Sequence, residues 1–116
     1  MERSTWDKVI AVNLTAPMSI IKRGVNSMLR AQVKGSIVNI ASVAAFKGFA
    51  NGMSWPRLNQ NESRLPVLGA AYTASKAGLI GLTKNTAALY RLKGIRFGSL
   101  LCLASNVTDR PAGAMR

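Results

Sequence analysis

Gly35-Ser36-Ile37-Val38-Asn39-Ile40-Ala41-Ser42 is the stretch from which the fold follows. Residues Ser36 to Ala41 form a short run rich in β-branched side chains, preceded by the turn Gln32-Val33-Lys34-Gly35. Such a run reads as a buried strand ending at Ser42. On its amino-terminal side apolar residues recur at Trp6, Val9, Ile10, Leu14, Ile21, Val25, Met28 and Leu29. This spacing predicts a long helix to about Ala31, capped by Ser4 or Thr5 and carrying Asp7 in its first turn. Pro17 lies inside that helix. Proline removes one backbone hydrogen bond and crowds the preceding turn, so a kink or a helix in two parts is expected near Ala16, with Asn13 just before the weak point.

On the carboxyl side, Val43 to Leu68 holds Gly48, Gly52, Pro56, Pro66 and the polar cluster Asn59-Gln60-Asn61-Glu62-Ser63, and reads as a loop or insertion longer than connections usually are. A second helix is expected from Ala70 or Ala71 through Leu92. Its small residues Ala74, Ala77, Gly78 and Gly81 permit close packing, and Lys93-Gly94 closes it. Ile95 to Leu103 then reads as a second strand, and from Ala104 to Arg116 an irregular polar tail is expected. The order helix, strand, helix, strand predicts an α/β fold with a parallel sheet, taken as one region over 1–116. Two strands do not make a stable sheet, so further strands are expected to complete it.

Whole-chain properties narrow the function classes. The chain has 116 residues, 48% of them hydrophobic, which suits one small folded domain and argues against disorder. No apolar run reaches the ~18 residues that a membrane span needs, and the start lacks the pattern of a secretory signal. A cytoplasmic location and no membrane partner are expected. Cys102 is the single cysteine and there is no histidine. An intrachain disulfide, a zinc site of His and Cys, and a hydrolase with a histidine base are thereby excluded, and no metal is expected. Sixteen Lys and Arg against four acids give a net charge of +12. The basic residues are dispersed and no aromatic residues alternate with them, which favours nonspecific adhesion to polyanions over sequence-specific nucleic-acid binding.

The chemistry-bearing pair is Tyr72 and Lys76 in Tyr72-Thr73-Ala74-Ser75-Lys76. Four residues is about one helical turn, so the phenol and the ammonium share a face. A cation beside a phenol favours the phenolate, and such a tyrosine can exchange a proton with a carbonyl or an alcohol.

Three stretches in this order resemble the second half of the short-chain dehydrogenase/reductase family. Trp6-Asp7-Lys8-Val9-Ile10-Ala11-Val12-Asn13-Leu14 is similar to its helix bearing a catalytic asparagine. Gly35 to Ser42 is similar to the strand delivering its active-site serine, and Ala71-Tyr72-Thr73-Ala74-Ser75-Lys76-Ala77-Gly78-Leu79 to its Tyr-x-x-x-Lys helix. Gly94-Ile95-Arg96 is similar to the start of the next strand. The resemblance implies a partial Rossmann-like, doubly wound parallel sheet and hydride transfer between NAD or NADP and a carbonyl or alcohol substrate. It implies Tyr72 as general acid or base, Ser42 binding the substrate oxygen, Lys76 and Tyr72 at the cofactor, and Asn13 holding a water that links Lys76 to solvent. Pairing into a homo-oligomer through helices 5–31 and 70–92 is implied as well. The family's glycine-rich cofactor turn and its later Pro-Gly turn have no counterpart here, and Met53 to Pro66 looks inserted. A partial form with little activity alone is therefore expected, with a non-catalytic interaction role or polyanion binding as the alternatives.

Overall fold

Pro17 has no amide hydrogen to give to Asn13, and its ring crowds the carbonyl four residues earlier. The first helix absorbs this by widening: α1 (Arg3–Ile10) runs through a π-helical turn (Ala11–Thr15) into α2 (Ala16–Ala31), with Pro17 in the first turn of α2. The break expected near Ala16 is thus a π turn, and Asn13 stands at its centre. The computed structural model describes residues 2–46 and 66–102. The amino-terminal cap differs from expectation. Glu2 takes that position in extended backbone, and Ser4 and Thr5 lie inside α1. Gln32 ends α2 in the left-handed region, at φ 54°.

β1 (Gly35–Ser42) and β2 (Ile95–Cys102) are parallel and in register from Gly35 opposite Ile95 to Ser42 opposite Cys102. Between them the chain passes through a 3-10 turn (Val43–Ala45) and α3 (Pro66–Tyr90). The loop read over 43–68 is corrected at both ends. Val43–Ala45 is helical, and Pro66, whose missing amide hydrogen costs nothing in a first turn, opens α3 four residues ahead of Ala70. The middle of that loop and the tail from 103 onward lie outside the described residues. α3 ends through a 3-10 turn (Arg91–Lys93), and Gly94 closes it at φ 77°.

The core lies between α2, α3 and one face of the sheet. Ile21, Val25 and Ile95 are buried at its centre, with Met28, Ile37, Leu82, Tyr90 and Phe97 packed around them. A polar bridge reinforces the sandwich: buried Asn39 donates from Nδ2 to Thr83 Oγ1 at 2.8 Å, and Thr83 donates to Leu79 O at 2.8 Å. Alternation along the strands sends Val38, Ile40 and Leu100 to the opposite face, where each is at least half exposed. A doubly wound sheet is covered on both faces. Among the described residues only one face is covered.

Candidate active site

Small side chains decide how closely α3 approaches the carboxyl end of β1. Ala41, Ala44 and Ala71 are all buried there, and Ser75 is 0% exposed. The second turn of α3 therefore rests against the strand end, with Tyr72 half-buried. The spacing of Tyr72 and Lys76 does what it predicted: Lys76 Nζ stands 5.6 Å from the centroid of the Tyr72 ring, within reach of its π face. The ammonium is also anchored, donating to Ile40 O at 2.8 Å. Lys76 thus ties α3 to β1 two residues before Ser42.

Ser42 is buried at the last position of β1, in extended backbone. Its Oγ accepts from Ala44 N at 3.2 Å and so caps the 3-10 turn. A hydroxyl has one hydrogen to give and two lone pairs. Capping uses a lone pair and leaves the O–H of Ser42 to donate.

Asn13 reaches the same turn of α3 from the π-helical segment. Its Nδ2 donates to Ser75 Oγ at 3.2 Å, and Ser75 Oγ donates to Tyr72 O at 2.7 Å. Gly78 makes the approach possible. A Cβ there would meet Leu14 Cδ2 at 2.9 Å, so the residue after Asn13 nests where a side chain is missing. Tyr72, Lys76, Ser42 and Asn13 are accordingly gathered at one end of β1. Ser75 and the Ile40 carbonyl were not singled out from sequence, and Gly78 was read there only as one of several small residues that permit close packing. The serine three residues after Tyr72 was the available signal, since helical serines commonly bond a carbonyl three or four residues back. Among the described residues the one ion pair is the exposed Arg3–Asp7 pair on α1, away from this turn.

Residues 1–55 match the short chain dehydrogenase family. A short chain dehydrogenase/reductase of Colletotrichum higginsianum, dpchG, is 46% identical over 102 residues, covering 87% of this chain and 32% of the relative. The short chain dehydrogenase adrF of Penicillium roqueforti is 44% identical over 91 residues, covering 78% of this chain and 28% of the relative. This chain spans about a third of the length of the curated relatives it matches. Among solved structures, a 4-hydroxyisoleucine dehydrogenase complexed with NADH and succinate superposes with TM-score 0.66 at 35% identity, covering 84% of this chain and 38% of that one. A metagenomic short-chain oxidoreductase in complex with NADP gives TM-score 0.67 at 32% identity, covering 90% and 39%. The helix–strand–helix–strand unit is therefore part of a Rossmann-like α/β architecture.

Proposed function

The chain belongs to the short-chain dehydrogenase/reductase family, and from that premise we propose that it carries the proton-handling residues of an oxidoreductase acting between NAD or NADP and a carbonyl or alcohol. The observation behind this reading is the convergence at the end of β1. Lys76 is bonded to Ile40 O, Ser42 lies two residues further on, Tyr72 is one turn back from Lys76, and Asn13 is tied to that turn through Ser75.

In the reducing direction Tyr72 gives its phenolic proton to the substrate oxygen; in the oxidising direction it takes that proton back. Ser42 donates its O–H to the same oxygen and steadies the charge that develops there. An ammonium has three N–H donors, and Lys76 spends one on Ile40, which leaves two for ribose hydroxyls. Asn13 holds a water on the path from Lys76 to solvent. When bound, the nicotinamide supplies or accepts the hydride. The donor set here suits the nicotinamide-ribose end of such a cofactor. The described glycines lie within α2, β1, α3 and β2 or at the cap of α3, and none belongs to a glycine-rich strand-to-helix turn that could receive its phosphates. Binding and turnover by this chain alone are accordingly expected to be weak.

The decisive experiment grafts residues 1–102 in place of the matching stretch of the Colletotrichum relative and follows NAD(P)H oxidation with that relative's own substrate. The graft should turn over, and Tyr72→Phe should lower kcat by a factor of about 10² or more. Undiminished turnover in Tyr72→Phe would refute the assignment.

A second reading, pairing of two copies without chemistry, is favoured by exposed apolar side chains: Val12 and Ile20 are each 70% exposed, and Leu92 87%. Pairing through helices 5–31 and 70–92 would cover them. Sedimentation equilibrium decides it, since a monomer at all concentrations removes this reading.

A further inference from the structure

We infer that Ser75 is a positioning residue: its hydroxyl sets the orientation of the Asn13 carboxamide, turning Nδ2 to α3 and keeping Oδ1 as an acceptor for the site. The inference rests on the reading of Asn13 as a site residue. Tyr72 O is a carbonyl oxygen and can only accept, so at 2.7 Å the hydrogen of Ser75 Oγ is committed to it. With that hydrogen spent, Ser75 can only accept from Asn13. The atom facing it at 3.2 Å must then be the amide nitrogen and not the amide oxygen. Asn13 Oδ1 is turned away from Ser75, so the carboxamide keeps that oxygen and the second N–H of Nδ2 for a ligand. At Oδ1 Asn13 can hold a donor, such as a water O–H or an ammonium N–H.

Burial gives the latch its force. Ser75 is 0% exposed, so water cannot replace its oxygen as the partner of Asn13. A carboxamide without that partner turns over between two nearly equivalent orientations, and one ordinary hydrogen bond is enough to bias them by about fivefold. The effect is directional. Ser75→Ala frees Asn13, while Tyr72 O keeps its place in the backbone ladder of α3. A serine that merely bonded back along its own helix would leave Asn13 indifferent to its loss.

The test is the side-chain NH₂ signal of Asn13 in the ¹⁵N-labelled 116-residue chain, assigned by its disappearance in Asn13→Asp. Exposed Asn26 and Asn85 serve as free carboxamides in the same spectrum. In the wild-type chain the Asn13 protons should exchange with solvent at least about fivefold more slowly than those controls. In Ser75→Ala they should approach the controls while the backbone amides of α3 stay put. Ser75→Cys, close in size and a weak acceptor, should fall between and serves if the alanine variant fails to fold. An Asn13 signal unchanged in both variants overturns the inference. Turnover of the grafted enzyme separates the two readings: absent turnover there with the signature intact in the labelled chain counts against the proposed function, whereas turnover with no signature counts against Ser75 alone.

Discussion

Thr83→Val is the sharpest test of how α3 is held on β1. The substitution keeps side-chain shape and removes the hydroxyl that accepts from Asn39 and donates to Leu79 O. Leu79 O stays in the helical ladder, so little is lost there. Asn39 is 8% exposed and Thr83 5%, so water does not reach the stranded Nδ2. A buried donor left without a partner costs ~1–3 kcal/mol, and we take ~2 kcal/mol. With a urea slope of ~1.5 kcal/mol/M for a domain of this size, the unfolding midpoint should fall by about 1.3 M. Removing both partners in Asn39→Leu with Thr83→Val leaves no stranded group, and should recover stability to within ~0.5 kcal/mol of wild type. The assay is equilibrium urea unfolding followed by far-UV circular dichroism for the wild type, both single variants and the pair. A Thr83→Val cost below ~0.5 kcal/mol, or a double variant no better than the single, would refute the claim that this bridge docks the strand on the helix.

Further outcomes follow from single sites. Ile95→Ala, at a position 0% exposed in the core, should cost ~2–5 kcal/mol by the same denaturation measurement. Gly94→Ala should cost ~1–2 kcal/mol, because φ is 77° and the new Cβ would stand 2.8 Å from Lys34 Cγ; a neutral result would mean that the cap relaxes. Gly78→Val should force Leu14 and the π turn off α3, with a loss of ~1–3 kcal/mol and, in the labelled chain, of the Asn13 signature. Lys76→Met keeps the aliphatic stem but not the bond to Ile40 O. In the grafted enzyme it should raise the Kd for NADH or NADPH about tenfold, read by nicotinamide fluorescence, and unchanged affinity would remove Lys76 from the cofactor site.

Much of the fold was legible because short-range patterns carry it. The β-branched run at Ile37-Val38-Asn39-Ile40 announced β1, and Lys93-Gly94 announced the end of α3. Boundaries were less legible where two local signals compete. Pro66 reads equally as a loop residue and as a first helical residue, and only the path of α3 decides between them. The spacing of Tyr72 and Lys76 was readable for the same local reason, since one helical turn fixes it.

What the sequence determined by itself was therefore the set of elements, their order, and the Tyr72–Lys76 spacing, all consequences of residues within a few positions of one another. Which partners those residues take was decided by tertiary structure. Ser75 lies 62 positions from Asn13, and Lys76 36 positions from Ile40. Those pairs meet because small side chains at Ala41, Ala71 and Gly78 let α3 close on β1 and on the π turn. No local pattern records such a contact, because its cause is the space left when three separate elements pack.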